Sequence, residues 1–133
     1  MFIPYARQSI SDQDIAAVCE VLRSDFLTQG PAIPNFETAL ATYCGAKHAV
    51  AVNSATSALH IACLALGVGP GDIVWTSPVS FVASANCALY CGAKVDFVDI
   101  DTDSFNISVA ALTSKLEQAK NLVYSLASSS QFI

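Results

Sequence analysis

Strands and helices alternate along the second half of this chain, and this alternation limits the fold more than any other feature. Short β-type runs lead three times into apolar helical runs, and the first two of these helices end at a glycine. The predicted pairs are Ala49–Val52 with Ser57–Leu66, Ile73–Thr76 with Phe81–Cys91, and Val95–Val98 with Ser108–Ala119. Such units in series are typical of an α/β fold in which helices flank a mostly parallel sheet. Ligands of these sheets bind at the carboxyl ends of the strands.

Two further helices are predicted before the first strand. One begins at Ser11, which has the spacing of a capping box with Asp14, and it ends near Ser24. The other covers about Asn35–Cys44 and ends at Gly45. Its apolar side chains are expected to face inward: Phe36, Leu40 and Tyr43.

The composition shows an apolar surplus. Hydrophobic residues make up 53% of the 133 residues and charged residues only 13%, whereas soluble domains are roughly 25% charged. The uncharged windows 48–71 and 73–93 contain clustered polar turn residues, so we interpret them as strand–turn–helix units and not as membrane spans. We expect the surplus to be buried against protein absent from this chain, which makes a homodimer or larger assembly the expectation.

Charge and cysteine content restrict partners and compartment. The net charge is −5 and the six basic residues are scattered, so nucleic-acid binding is not expected. The five cysteines form no C-x-x-C pair and lie mostly in apolar helical runs, which predicts buried, reduced thiols in a cytoplasmic protein. The start of the chain, Met1–Arg7, does not resemble a signal peptide.

Two polar clusters lie where predicted strands end. Asn53-Ser-Ala-Thr56 precedes a helix, so its unpaired backbone N–H groups and the positive end of the helix dipole form a candidate anion site. A plain helix cap is the alternative interpretation. Asp99, Asp101 and Asp103 open like a calcium loop, but Ser104 replaces the required glycine and Ala110 the required glutamate. No metal site is therefore predicted.

A series of short motifs resembles one enzyme family. In chain order these are Leu27-Thr-Gln-Gly-Pro31, Phe36-Glu37, Lys47-His-Ala-Val50, Asn53-Ser-Ala-Thr-Ser-Ala-Leu59, Gly69-Pro-Gly-Asp72, Ser80-Phe-Val-Ala-Ser-Ala-Asn86 and Val98-Asp-Ile-Asp101. They resemble the amino-terminal third of the DegT/DnrJ/StrS-type sugar aminotransferases, over about residues 3–120. The opening Pro4-Tyr-Ala is most similar to the branch that acts in pseudaminic acid synthesis.

The resemblance implies a site and a cofactor. These are fold-type I pyridoxal-phosphate enzymes that place an amino group from an amino donor on a keto sugar nucleotide, so the chain is expected to form part of their large domain. The residues that match the cofactor site are Ala55, Thr56 and Ser57 at the phosphate and Phe81 on the pyridine ring. The residues that match the sugar-nucleotide site are Tyr5, Asp25, Phe26, Leu27, Thr28 and again Ala55.

The resemblance also implies what the chain does not carry. The family's Schiff-base lysine and the aspartate that faces the pyridine nitrogen match no residue here, so no catalytic residue is predicted and the chain alone is expected to be inactive. The implied organisation is an N-terminal helix and substrate-loop arm over 1–34, a partial large domain over 35–120 and an atypical tail, from truncation or a frame shift, over 121–133. A non-catalytic phosphate or sugar-nucleotide binding module and an inactive structural fragment are the alternatives.

Overall fold

The computed structural model describes residue 3 and residues 6–129, with side chains described up to residue 121. In chain order the helices and strands are α1 (Asp12–Arg23), α2 (Ala32–Cys44), α3 (Ala55–Ala65), β1 (Ile73–Thr76), α4 (Ala83–Tyr90), β2 (Lys94–Phe97) and α5 (Val109–Ser129). The chain divides into two compact units, Met1–Ala51 and Val52–Ile133. Each unit is described by itself.

Helix α1 of the first unit begins with the predicted capping box. The Ser11 hydroxyl accepts a hydrogen bond from the Asp14 N–H, and the Asp14 carboxylate accepts from the Ser11 N–H at 2.7 Å. The bond from the Ser11 N–H, and a second from the Ser11 hydroxyl to the same carboxylate at 2.8 Å, lower the pKa of Asp14, because they favour its charged form. The helix ends at Arg23, and the Ser24 N–H bonds to the Val21 carbonyl. Both predicted ends of α1 are confirmed.

Helix α2 begins at Ala32, earlier than predicted, and ends at Gly45 as expected. The expectation that its apolar residues face inward is wrong for this chain, because Phe36, Leu40 and Tyr43 are 56%, 39% and 91% exposed. An amphipathic face is buried only when an apolar surface opposes it. Within the first unit, residues of α1 and of the start of α2 line an open groove.

The second unit is built on a strand–helix–strand motif. Strands β1 and β2 pair in parallel, with Ile73 opposite Lys94 and Thr76 opposite Phe97, and helix α4 packs against both strands and against α3. The buried core lies here and consists of Ala83, Cys87, Ala88, Ala93 and Val98. The predicted α/β class with a parallel sheet is confirmed.

The predicted strand Ala49–Val52 does not form in the described residues. A strand exists only through hydrogen bonds to a neighbouring strand, and the described sheet contains two strands, which pair with each other. The Ala51 N–H instead donates to the Glu37 carboxylate at 2.8 Å. The local sequence is strand-like, but no described strand pairs with it.

Helices α3 and α4 end in the same way. Gly67 and Gly92 have φ angles of +75° and +78°, a region that favours glycine because other L residues are strained there. The residue after each glycine donates its N–H to a carbonyl five residues earlier, from Val68 to Cys63 and from Ala93 to Ala88, both at 3.0 Å. This pattern is a Schellman motif, which satisfies carbonyl groups at the end of a helix.

Helix α5 is longer than predicted and begins differently. The helix was expected to be capped near Asn106 and to end at Ala119, but it runs from Val109 to Ser129, and the Ser108 hydroxyl accepts the Ala111 N–H at 3.2 Å. The Lys115 ammonium holds α5 against the sheet: it pairs with Asp96, donates to the Phe97 carbonyl and lies 5.4 Å from the centre of the Trp75 ring.

The domain boundaries expected at residues 34 and 120 stay predictions.

All five cysteines are free thiols, but the expectation that they are buried holds only for Cys87. Cys44 is exposed at the end of α2. Burial raises the pKa of the Cys63 thiol, and contacts with Cys87 and Cys91 raise it further.

Among the described residues, no helix has the length and apolar character needed to cross a membrane.

Candidate functional site

The amino-terminal turn of α3 is the candidate anion site. Ser54 is the capping residue and adopts an extended backbone, with φ −161° and ψ 157°. The helix therefore begins at Ala55, two residues before the predicted start at Ser57. This shift places Ala55, Thr56 and Ser57 together in the first turn, where backbone N–H groups have no partner within the helix.

Hydrogen bonds in the five residues 53–57 order this turn. The Ser57 N–H donates to the Ser54 hydroxyl oxygen at 3.2 Å, and the Ser57 hydroxyl donates to the Asn53 side-chain carbonyl at 2.7 Å. The two serine hydroxyl oxygens lie 3.1 Å apart. One turn along the helix, the Ala58 N–H bonds to the Ser54 carbonyl at 3.0 Å.

Two backbone N–H groups remain available for a ligand. Within the part of the chain that the structure describes, the N–H groups of Ala55 and Thr56 have no hydrogen-bond partner. Ala55 is exposed and Thr56 is half-buried, so both groups lie near solvent at the positive end of the helix dipole. Two such donors beside a threonine hydroxyl suit the oxygen atoms of a phosphate group.

Phe81 lies between β1 and α4 in the same unit. Its ring is 74% exposed, so Phe81 does not belong to the core of the described residues. After it, Val82 precedes α4 without a side-chain cap, and the hydroxyls of Ser80 and Ser84 lie 3.0 Å apart. An exposed aromatic face at this position can stack on a flat ring.

Apart from Ala55, the residues expected to line the sugar-nucleotide pocket belong to the first unit. Asp25, Phe26, Leu27 and Thr28 form the connection between α1 and α2, and Phe26 and Leu27 are exposed. The Ser24 hydroxyl orders the start of this connection, because it donates to the Val21 carbonyl at 2.8 Å. Tyr5 lies outside the described residues. Within the second unit, the structure brings together Ala55, Thr56 and Ser57 in the first turn of α3.

The acidic residues after β2 build a turn. The Asp101 carboxylate accepts the N–H groups of Ser104 at 2.9 Å and Asp103 at 3.1 Å. These bonds lower the pKa of Asp101 below its ordinary value, with the bond from the Ser104 backbone as the largest cause. The turn closes where Ile100 and Ile107 form an isolated antiparallel bridge. The Asp101 carboxylate thus has a structural role.

The sequence places Asn53 and Ser54 in the candidate anion cluster, but the residues matched to the cofactor phosphate are Ala55, Thr56 and Ser57. Their hydrogen bonds to Ser57 decide which groups of the turn face outward. The signal for Ser54 is present in the sequence, because serine is a preferred capping residue whose oxygen accepts a backbone N–H two or three residues later. No local signal identifies Asn53 as the acceptor of the Ser57 hydroxyl.

Comparison with known proteins identifies the family. Residues 8–125 match the model of the DegT/DnrJ/EryC1/StrS aminotransferase family, which is most of the chain. The chain belongs to this family. The resemblance of its sequence motifs to this family is therefore confirmed.

Individual family members match at high identity over a limited part of their length. The chain is 46% identical over 111 residues to the spore coat polysaccharide biosynthesis protein SpsC of Bacillus subtilis, covering 84% of this chain and 28% of that protein. It is 47% identical over 114 residues to a UDP-4-amino-4,6-dideoxy-N-acetyl-beta-L-altrosamine transaminase of Campylobacter jejuni, covering 86% of this chain and 30% of the transaminase. The chain thus spans less than a third of the length of these curated relatives.

A solved protein has a similar fold over the length of this chain. A sugar aminotransferase of Streptococcus pneumoniae superposes with a TM-score of 0.78 at 34% identity, covering 83% of this chain and 28% of that protein. That aminotransferase is solved in its apo form, in its pyridoxamine-phosphate (PMP) form and in its pyridoxal-phosphate (PLP) form. The cofactor predicted from the motifs, pyridoxal phosphate, agrees with these forms.

Proposed function

We propose that this chain is the amino-terminal part of a pyridoxal-phosphate-dependent aminotransferase that acts on a keto sugar nucleotide in glycan biosynthesis. The observation that carries the proposal is the pair of available N–H groups on Ala55 and Thr56 in a chain that belongs to an aminotransferase family. The relatives support the substrate class, because one is named for spore coat polysaccharide biosynthesis and another for an amino-sugar nucleotide.

The described residues fit the phosphate end of the cofactor. Ala55 and Thr56 offer backbone donors, and the hydroxyls of Thr56 and Ser57 lie in the same turn. Phe81 would stack on the pyridine ring and exclude water from one of its faces. Pyridoxal phosphate, when bound, supplies the electron sink for the chemistry at the substrate carbon. We propose that this chain holds and orients the pyridoxal phosphate.

Substrate recognition is proposed for the first unit. We expect Asp25, Phe26, Leu27 and Thr28, with Tyr5, to line the sugar-nucleotide pocket of the complete enzyme. The 47% identity to the Campylobacter jejuni transaminase supports the pseudaminic acid branch as the specific role. The amino donor stays unassigned.

A titration with pyridoxamine phosphate tests the phosphate site. Pyridoxamine phosphate has no aldehyde and cannot react with lysines, and pyridoxamine is the same molecule without phosphate. We expect calorimetry to show binding of the phosphate form only. Thr56→Val should weaken that binding about tenfold, as expected for the loss of a hydrogen bond to a charged group. Thr113→Val is the matched control, since the Thr113 hydroxyl bonds to the Val109 carbonyl on α5. Equal binding of both compounds would contradict the proposal.

The chain by itself is expected not to catalyse transamination. Lys94 begins β2, at the strand end opposite the carboxyl edge, and Lys115 is occupied by Asp96 and the Phe97 carbonyl. Lys47 lies in the other unit and Lys120 on α5. Incubation with pyridoxal phosphate, an amino donor and a keto sugar nucleotide should give no amino sugar by mass spectrometry. Turnover would show that one of these lysines serves the reaction.

We also propose that the protein acts in the cytoplasm as a homodimer or larger assembly. Large apolar side chains on α1 and α2 remain exposed, among them Val18, Leu22 and Phe36. Exposed apolar area of this kind is typical of surfaces that other protein covers. Light scattering at micromolar concentration should give a mass above 13.9 kDa. A monomer in that measurement would count against the assembly.

A further inference from the structure

The geometry assigns the protons of the two serine hydroxyls at the start of α3. A serine hydroxyl has one proton to donate and two lone pairs to accept with. The Ser57 oxygen lies 2.7 Å from the Asn53 side-chain carbonyl, which only accepts, so Ser57 is the donor. Its single proton is thereby used. In the 3.1 Å contact between the two serines, Ser54 must then donate and Ser57 accept.

This assignment leaves a restricted set of donors for an anion. The Ser57 N–H is taken by the Ser54 oxygen, and the protons of both serine hydroxyls point to partners within residues 53–57. The N–H groups of Ala55 and Thr56 and the Thr56 hydroxyl remain. Ser57 lies in the first turn, but its hydroxyl proton is directed to Asn53 and away from a ligand.

We propose that Asn53 competes with the phosphate group for the Ser57 hydroxyl proton and so lowers the affinity of the site. The inference rests on the proposed function, because it concerns the same phosphate site. A hydrogen bond from Ser57 to a charged phosphate oxygen is stronger than one to a neutral amide carbonyl. Asn53 is exposed, so its released carbonyl can bond to water. When the Ser57 hydroxyl turns to the phosphate, it loses its 2.7 Å bond to Asn53. This loss makes the net free energy of phosphate binding less favourable.

The proposal predicts that removing a hydrogen-bonding group tightens binding. Asn53→Leu keeps the size of the side chain but has no acceptor, so the Ser57 hydroxyl is free to turn to the ligand. We expect Asn53→Leu to bind pyridoxamine phosphate about fivefold more tightly, the value of one net hydrogen bond. Pyridoxamine binding should not change. Asn53→Asp retains an acceptor and adds negative charge, so it should not tighten binding.

A double-mutant cycle with Ser57→Ala tests whether the gain passes through Ser57. In the Ser57→Ala background, Asn53→Leu should have no effect, because no hydroxyl proton is left to redirect. Circular dichroism of each variant checks that the helices are retained. A gain that persists without the Ser57 hydroxyl overturns the inference, and so does unchanged or weaker binding by Asn53→Leu.

The same titrations separate this inference from the proposed function. If the unmodified chain binds pyridoxamine phosphate no better than pyridoxamine, the proposed phosphate site is wrong and the inference fails with it. If the chain shows phosphate-dependent binding that Asn53→Leu leaves unchanged, the site stands and only the competition by Asn53 is refuted.

Discussion

Replacing each of two similar glycines by alanine should have unequal effects on stability. Gly67 and Gly92 follow α3 and α4 in the same unit, at φ +75° and +78°. An alanine in this region costs about 1 kcal/mol. The unfolded chain is stiffened equally by either substitution, so this contribution cancels in the comparison. Any difference between the two variants must come from the surroundings of the added methyl group.

Those surroundings differ at one residue. A Cβ atom on Gly92 would lie 3.2 Å from Cγ and 3.5 Å from Cδ of Pro70, whereas a Cβ on Gly67 would meet nothing within 4 Å. Pro70 has little freedom to move, because the Asp72 N–H bonds to the Gly69 carbonyl and the Asp72 carboxylate accepts the Gly69 N–H. We therefore expect Gly92→Ala to cost about 1 kcal/mol more than Gly67→Ala, at the low end of overpacking effects.

Urea unfolding followed by the fluorescence of Trp75 measures both variants. Trp75 is the single tryptophan of the chain and lies in β1, within the same unit as both glycines. The midpoint for Gly92→Ala should fall below that for Gly67→Ala at an unchanged slope. Pro70→Ala removes the contacting ring and should abolish the difference. Equal midpoints for the two alanine variants would refute the steric argument.

Two further perturbations follow from polar contacts. Ser11→Ala should destabilise α1 by about 1 kcal/mol, the cost of losing a capping side chain. The backbone N–H and the hydroxyl of Ser11 both donate to the Asp14 carboxylate and lower its pKa, so the stabilisation by the charged carboxylate is present above the ordinary value of 3.8 and is lost as the pH falls through the lowered pKa. Helical circular dichroism should show this loss in the unmodified chain and a smaller loss in Ser11→Ala, which keeps the backbone N–H bond. Lys115→Met should lower the free energy of unfolding by about 1 kcal/mol, because the cation over the Trp75 ring is lost. Urea unfolding should detect this loss, and Lys120→Met, an exposed change on the same helix, should leave the midpoint unchanged.

The elements that the sequence predicts well depend on neighbouring residues. The bonds of Ser11 join residues three apart, and α1 begins and ends where its capping signals lie. Strand β1 matches its prediction at both ends, since polar and glycine residues bound a short apolar run. In both cases the local signal is complete.

The wrong predictions depend on contacts that are distant in sequence. The strand expected at Ala49–Val52 needs a neighbouring strand, and its Ala51 N–H bonds instead to Glu37. The burial expected for Phe36 and Tyr43 on α2 needs an opposing surface, which the first unit does not supply. Periodicity identified both apolar patterns but carries no information on which residues cover them.

The same distinction between local and sequence-distant contacts applies to the candidate site. The proposed phosphate site consists of five consecutive residues, Asn53 to Ser57, which form a helix start and the side chains that cap it. Such a site can form in a chain that spans 28% to 30% of its relatives. The proposed sugar-nucleotide pocket would draw on Tyr5 and the loop 25–28, which are far from α3 in sequence. Phosphate-dependent binding is therefore the property that tests the proposed site most directly in this chain.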